Sequence, residues 1–167
     1  NEEQWYHDLR NQIHKQYVAL CIKTGAKLKD PAPAMTVEDL KIICKVLFMK
    51  GVKDHAAANR MLMNQQWLAL GRSSDVGHLR YEDLTWMDDH LLVDLTRLKT
   101  KNDQRIAIYC APDDWSIDPF HSLGSMLLCD QYQTSNKLFP HLPTESCESN
   151  ISSYINRVLS NVGDVLQ

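Results

Sequence analysis

The chain has 167 residues, of which 44% are hydrophobic and 23% charged, so it is long enough for one domain with a buried core, or for one domain with an appendage. It contains no apolar run of about 18 residues, which argues against a membrane span. The net charge of −3 is unusual for a nucleic-acid-binding module, but the basic residues are unevenly distributed, with clusters before residue 30 and around residue 100.

The N-terminal segment is predicted to be a helix followed by a linker. Residues 3–22 carry apolar side chains at helical spacing on one stripe, formed by Trp5, Leu9, Ile13, Tyr17 and Leu20. Within residues 27–34, Pro31 and Pro33 each remove a hydrogen-bond donor and favour an extended predecessor. We therefore interpret residues 1–32 as a helix and linker that precede the main domain at residues 33–167.

Two longer helices are predicted in the first part of the main domain. Thr36 and Asp39 have the spacing of a capping box, and Gly51 is a suitable stop. The side chains of this helix that we expect to face inward are Leu40, Ile43, Val46 and Leu47. Residues 54–70 are rich in the good helix formers Ala, Met, Gln and Leu, so a second helix is predicted there, ending at Gly71.

A short helix near residues 73–80 and a β-hairpin are predicted next. Residues 90–96 and 105–110 alternate between apolar and polar side chains, which is typical of half-buried strands. The intervening sequence at 99–103, Lys-Thr-Lys-Asn-Asp, suits a turn because Asn and Asp tolerate left-handed geometry. A third short strand is expected near residues 85–87.

The C-terminal part is predicted to be helical. Asp118 followed by Pro119 is a typical helix start, and the apolar residues after it have helical spacing. Asn150 is predicted to cap a last helix with a stripe formed by Ile151, Tyr154, Ile155, Val158, Leu159 and Val162. The fold class predicted for the chain is therefore mainly α, with one small antiparallel β-sheet inserted between helices.

The cysteines and histidines do not have metal-ligand spacing. The five cysteines include no C-x-x-C pair, and none of the seven histidines belongs to a pattern such as H-E-x-x-H. We expect free and mostly buried thiols in a reducing, intracellular compartment, and we assign no metal and no cofactor.

Arg72 is the strongest candidate for chemistry. It follows Gly71 at a helix junction, and its guanidinium is a permanently charged planar fork of donors, which suits a phosphate that gains charge in a transition state. Asp75 lies one turn further on, where it either orients the Arg72 guanidinium or stabilises the helix N-terminus. The alternative for Arg72 is a surface arginine that caps or pairs near the helix start.

A second group of cations surrounds the predicted hairpin tip. A lysine ammonium close to a phosphodiester can donate a proton to the departing oxygen. Lys99, at the junction of strand and turn, is the first candidate for this role and Lys101 the competing one, whereas an ordinary turn lysine is simply solvated. Arg80 and Arg105 are more suited to contacts with backbone phosphates or solvent than to chemistry.

The order of these residues is similar to that of a known family. Three segments, Gly71-Arg-Ser-Ser-Asp75, Leu79-Arg-Tyr-Glu-Asp-Leu84 and Thr96-Arg-Leu-Lys-Thr100, resemble the first half of the catalytic site of tyrosine recombinases, with Asp75 in place of the usual Glu. The resemblance spans residues 36–159 and the N-terminal two-thirds of such a catalytic domain. The likeness is greatest to the Crypton-like, transposon-derived proteins of eukaryotes.

The resemblance implies a mechanism for DNA integration and recombination. In this family a tyrosine attacks a DNA phosphodiester, arginines and a histidine or lysine stabilise the transition state, and the hairpin lysine protonates the leaving 5′ oxygen. By the same resemblance the expected catalytic residues here are Arg72, Lys99 and Asp75. The residues expected to bind DNA are Arg80, Arg97, Lys101 and Arg105.

The second half of the family's site has no match in this sequence. Its H-x-x-R box and nucleophilic tyrosine belong after the helix predicted at residues 151–162, and neither occurs between there and Gln167. Tyr109, Tyr132 and Tyr154 lie upstream of the position of the nucleophile. We therefore expect no strand cleavage by this stretch of chain alone.

Three functions stay open at this point: a partial recombinase catalytic domain, a non-catalytic DNA-binding scaffold derived from one, and a helical protein-interaction module. Both DNA hypotheses imply double-stranded DNA as partner, a homo-oligomer on DNA and no membrane. They also imply a nuclear location in a eukaryote, or a cytoplasmic one otherwise. Residues 1–32 would then be the end of an N-terminal DNA-clamping domain.

Overall fold

A computed structural model describes residues 35–97, 102–129, 135–143 and 148–164, together with six residues nearer the N-terminus: Gln12, Lys15, Gln16, Ala19, Leu20 and Lys23. The chain divides into two units, Asn1–Ala34 and Met35–Gln167. The six described residues of the first unit are helical. The predicted linker at 27–34, and the predicted stripe apart from Leu20, lie outside the described residues.

Helix α1 spans Val37–Lys50 and confirms the prediction from its capping signals. The Asp39 backbone N–H donates to Thr36 Oγ1 (3.2 Å), and the Thr36 backbone N–H donates to Asp39 Oδ2 (2.8 Å). Gly51, with φ of 63°, ends the helix. The buried residues of α1 are Leu40, Cys44, Val46 and Leu47, and Ile43 is partly buried.

Helix α2 spans Ala56–Ala69 and therefore starts later than predicted. Asp54 and His55 have left-handed φ values of 53° and 55°, so a 3-10 turn at Lys53–His55 replaces the expected first helical turn. Asp and His tolerate this geometry better than most residues. The left-handed residue at the C-terminal end is Leu70, and not the expected Gly71. Helix α2 is buried around most of its circumference.

Helix α3, Ser73–Gly77, is shorter than predicted and is followed by a 3-10 turn at Tyr81–Asp83. The predicted sheet is confirmed. Its strands are β1 (Leu84–Trp86), β2 (His90–Arg97) and β3 (Asn102–Tyr109), in antiparallel order β1-β2-β3. Strand β3 begins three residues before the predicted start at Arg105, because the polar residues Asn102 to Gln104 continue the pairing with β2 without apolar alternation.

The last two helices are α4 (Pro119–Cys129) and α5 (Glu148–Gly163). Asn150 was predicted to cap α5, and this is wrong, since the helix already begins at Glu148. The apolar stripe from Ile151 onward defines the buried face of α5 but does not define its first turn.

The core of the main unit is built around α2, which packs against α1 on one side and α4 on the other. Helix α3 packs against α5 and against β2, whose buried residues are Leu91, Val93 and Leu95. The fold is thus mainly α with one small antiparallel sheet, as the sequence predicts. Among the described residues, no helix combines the length and apolar character that a membrane crossing requires.

Candidate functional site

Arg72 lies at the N-cap of α3, immediately after the left-handed turn that ends α2. Its backbone is extended, with φ of −69° and ψ of 153°, and its side chain is exposed. Within the described part of the chain the guanidinium has no hydrogen bond or ion pair. Arg72 is therefore held at a defined junction by its backbone while its charged group remains accessible to solvent.

Asp75 is buried, with 4% of its surface exposed, and its backbone N–H donates to the Arg72 carbonyl (3.0 Å). It lines a cleft of about 290 Å³ together with Thr96, which lies near the end of β2. The structure therefore brings the first turn of α3 and the base of the predicted hairpin tip into one cleft, although 21 positions separate these two residues in the sequence.

The predicted tip cations are only partly described. Lys99 and Lys101 lie outside the described residues. The backbone of Arg97 ends β2, and its side chain is not among those described. The predicted approach of Arg72 and Lys99 to one phosphate therefore stays a prediction.

The two remaining candidate cations form ion pairs with carboxylates. Arg80 Nη1 lies 3.0 Å from Glu82 Oε1, at an exposed position. Arg105 donates through Nε and Nη2 to the two oxygens of Asp94, at 2.5 and 2.8 Å. This hydrogen bonding lowers the pKa of Asp94 and raises that of Arg105. A carboxylate thus engages part of each guanidinium, one nitrogen of Arg80 and two of Arg105.

Carboxylates dominate the cleft and a second one, of about 440 Å³, that shares Asp83, Asp94 and Thr96 with it. The acidic lining residues of the two clefts are Asp75, Glu82, Asp83, Asp94 and Asp103, against the two guanidinium groups of Arg80 and Arg105. Sequence analysis missed most of these acids. The pairing of Asp94 with Arg105 could have been found from the register of the hairpin, since the two residues are directly opposite.

The described cysteines and tyrosines include no evident nucleophile at this site. Burial raises the pKa of the Cys44 thiol to about 12, whereas Cys110 is exposed, contrary to the expectation of mostly buried thiols. Tyr109 is exposed on β3 beside His90, and the Tyr154 hydroxyl donates to Asn59 Oδ1 (3.0 Å). In the described parts of the chain, no three His, Cys, Asp or Glu residues are arranged to hold a metal ion.

A polar centre that sequence analysis missed lies beneath α2. Arg60 is completely buried, and its guanidinium donates to the carbonyls of Trp115 and Ser116 and to His121 Nδ1. The same guanidinium lies 5.3 and 5.2 Å from the ring centres of Phe48 and Trp115. Because these hydrogen-bond partners belong to the loop before α4 and to the first turn of α4, more than 50 positions away, no local pattern predicts them. The arrangement attaches that loop to α2.

The topology, with Arg72 between two helices and a hairpin following, defines a tyrosine-recombinase-like catalytic-domain fold. Two solved structures of XerH site-specific recombinase share it. The pre-cleavage complex with difH substrate has a TM-score of 0.53 and 14% sequence identity. The aligned region covers 79% of the present chain and 37% of the recombinase chain. The post-cleavage complex with palindromic difH substrate has a TM-score of 0.52 and 15% sequence identity. In this case the aligned region covers 82% of the present chain and 39% of the recombinase chain.

The chain thus spans less than two-fifths of the length of these recombinase structures. No protein-family model matches the sequence, and no curated protein matches it. The likeness to XerH is one of fold.

Proposed function

We propose that this chain is part of a DNA-binding, tyrosine-recombinase-like domain that acts in DNA strand cleavage and rejoining, in the manner of Crypton-type integrases. The observation that supports the proposal is the common cleft of Asp75 and Thr96, because Asp75 belongs to the helix that begins after Arg72 and Thr96 lies near the base of the hairpin. The XerH complexes, which are bound to difH substrate, support DNA as the partner.

In this proposal the Arg72 guanidinium binds the scissile phosphate and stabilises the charge that develops on it. Asp75, one turn later and buried, positions Arg72. Lys99 protonates the leaving 5′ oxygen, and Lys101 is the alternative for that role. The tyrosine nucleophile and the H-x-x-R box are not supplied by this sequence. The function proposed for this stretch itself is therefore to bind and orient the phosphodiester.

The test is duplex binding measured by fluorescence anisotropy over a series of salt concentrations. Arg72→Ala and Lys99→Ala should each weaken binding by roughly 5- to 30-fold, which corresponds to about 1–2 kcal/mol, and each should reduce the salt slope by about one unit. Arg157→Ala, which removes an exposed arginine of α5, is the matched control and should have little effect. If all three variants weaken binding equally, or if none of them weakens it, Arg72 and Lys99 do not form a DNA-binding site.

A helical protein-interaction module is the second candidate. The observation that favours it is the number of large apolar side chains exposed on α1, among them Met49 at 84%. Absence of salt-dependent duplex binding by the intact chain would favour this function over the first.

A further inference from the structure

The solvent side of helix α1 exposes large apolar side chains opposite the face that packs into the core. The buried face contains Leu40, Cys44 and Leu47. The other face contains Ile42 and Met49, which are 44% and 84% exposed, together with two charged residues. A surface helix normally presents polar groups on its solvent side, so large apolar side chains exposed there indicate a surface that binds something.

We define the outer stripe as four positions on this face: Glu38, Ile42, Lys45 and Met49. All four are exposed. They are separated alternately by four and three residues, the spacing at which two helices pack side by side with a crossing angle near 20°. Two of the four are apolar, and the other two carry opposite charges.

The charges along α1 are arranged with opposite signs at its two ends. Glu38 and Asp39 lie in the first turn, whereas Lys45 and Lys50 lie in the second half. Glu38 is 71% exposed and contacts Lys41 at 2.9 Å. Lys45 is exposed, and within the described residues it has neither an ion pair nor a side-chain hydrogen bond.

A two-fold axis near Ile42 would pair such a helix with itself. In an antiparallel arrangement the acidic end of one copy faces the basic end of the other, so Glu38 comes close to Lys45 of the other copy. A parallel arrangement would instead place like charges together. Self-complementarity of this kind is the requirement for an isologous interface.

We propose that the outer stripe binds a second copy of this chain, with the two α1 helices antiparallel about an axis at Ile42. An anionic lipid surface would repel the exposed carboxylates of Glu38 and Asp39 in the first turn, and a different helical partner would not require acidic and basic ends that complement each other. The 14 residues of α1 provide a contact of about 21 Å. The interface does not depend on the proposed DNA site.

The test is sedimentation equilibrium of the intact chain at low salt and at concentrations up to about 100 µM, where a micromolar Kd gives mostly dimer. The wild-type chain should dimerise. Ile42→Glu should weaken the dimer by at least tenfold, because it places a charge at the centre of the contact. Leu128→Glu, at a 71% exposed apolar position on α4, is the matched control and should dimerise as the wild type does.

Charge exchange tests the antiparallel orientation. Glu38→Lys and Lys45→Glu should each weaken the dimer several-fold, and the two changes combined should restore it, with both effects lost at high salt. Circular dichroism melting should confirm that every variant is folded.

A monomer at the highest concentration would overturn the proposal, as would a dimer unaffected by Ile42→Glu. A combined charge variant as weak as the single ones would overturn the antiparallel arrangement. Duplex binding by Ile42→Glu, and dimerisation by Arg72→Ala, should equal those of the wild type, so failure of this proposal and failure of the DNA site are distinguishable.

Discussion

Asp94 and Arg105 face each other across β2 and β3 and form a two-pronged ion pair, with Nε–Oδ1 and Nη2–Oδ2 distances of 2.5 and 2.8 Å. Asp94 also lines both clefts beside the hairpin. The carboxylate therefore has two effects on an approaching phosphate: it repels the anion directly, and it engages two of the three nitrogens of the Arg105 guanidinium.

Asp94→Asn should strengthen duplex binding. The amide keeps the shape of the side chain but removes its charge, so Arg105 becomes available and the repulsion is reduced. We expect a gain in affinity of roughly three- to tenfold at low salt and a salt slope steeper by about one unit. Anisotropy titrations at several salt concentrations measure both quantities.

Asp113→Asn is the control, because Asp113 is an exposed acid on the loop before α4 and its loss changes the net charge equally. An equal gain in both variants would attribute the effect to overall charge, and would contradict a specific role for Arg105 in contacting phosphate.

Arg60→Ala should destabilise the main unit by about 3 kcal/mol or more. The change removes the arginine donor to the Trp115 carbonyl and one of the two donors to the buried Ser116 carbonyl, and it creates a cavity beside Phe48. Arg60→Lys should cost less but should not restore stability, since an ammonium cannot reproduce the planar set of donors. Urea unfolding followed by tryptophan fluorescence measures the free energy of unfolding. A loss no greater than that of Arg157→Ala would show that the buried guanidinium is not an anchor.

His141 should make stability dependent on pH. Its Nε2 lies 3.1 Å from Asn59 Oδ1, its ring stacks on His55, and within the described residues its buried Nδ1 has no hydrogen-bond partner. Burial, with a smaller effect of His55, lowers the pKa of His141 from 6.5 to about 4. The unfolded ring therefore takes up its proton first as the pH falls, and this uptake favours unfolding.

The free energy of unfolding should decrease by up to roughly 3 kcal/mol between about pH 6.5 and pH 4 on account of this residue. Above that window its contribution is constant. His141→Gln should show a smaller decrease over the same range in urea unfolding. An identical pH dependence in the wild type and His141→Gln would contradict the assignment.

Local signals in the sequence predicted much of the fold. The ends of α1 follow from the capping pair Thr36 and Asp39 and from Gly51, all of which act within one turn of helix. The predicted start of α2 is wrong because amino-acid composition cannot show that Asp54 and His55 adopt left-handed geometry. The predicted start of α5 is wrong because a stripe of buried residues does not define the first turn of a helix.

The candidate site was less accessible to prediction. Arg72 and Asp75 were selected from a short local pattern, and the structure adds that Asp75 shares a cleft with Thr96. The acidic character of that cleft depends on side chains from α3, the turn after it and the hairpin, which only the tertiary fold brings together. The buried position of Arg60 likewise depends on carbonyls that are remote in the sequence.

Gly77→Ala should destabilise the protein, because Gly77 is the point at which α3 meets α5. A β-carbon there would lie 3.0 Å from Ile151 Cδ1 and 3.2 Å from Leu142 Cδ1, tighter than most such contacts, so these terminal methyl groups would have to shift by a few tenths of an ångström. We expect a loss of about 1–2 kcal/mol from overpacking, even though alanine favours helix. Gly124→Ala in α4, where a β-carbon meets open space, should instead raise the free energy of unfolding by about 0.5–1 kcal/mol.

Because α3 carries Arg72 and Asp75, Gly77→Ala should also weaken duplex binding in anisotropy titrations, whereas Gly124→Ala should not. Stabilisation by both changes in urea unfolding would contradict overpacking at Gly77 and show that Ile151 and Leu142 shift at little cost.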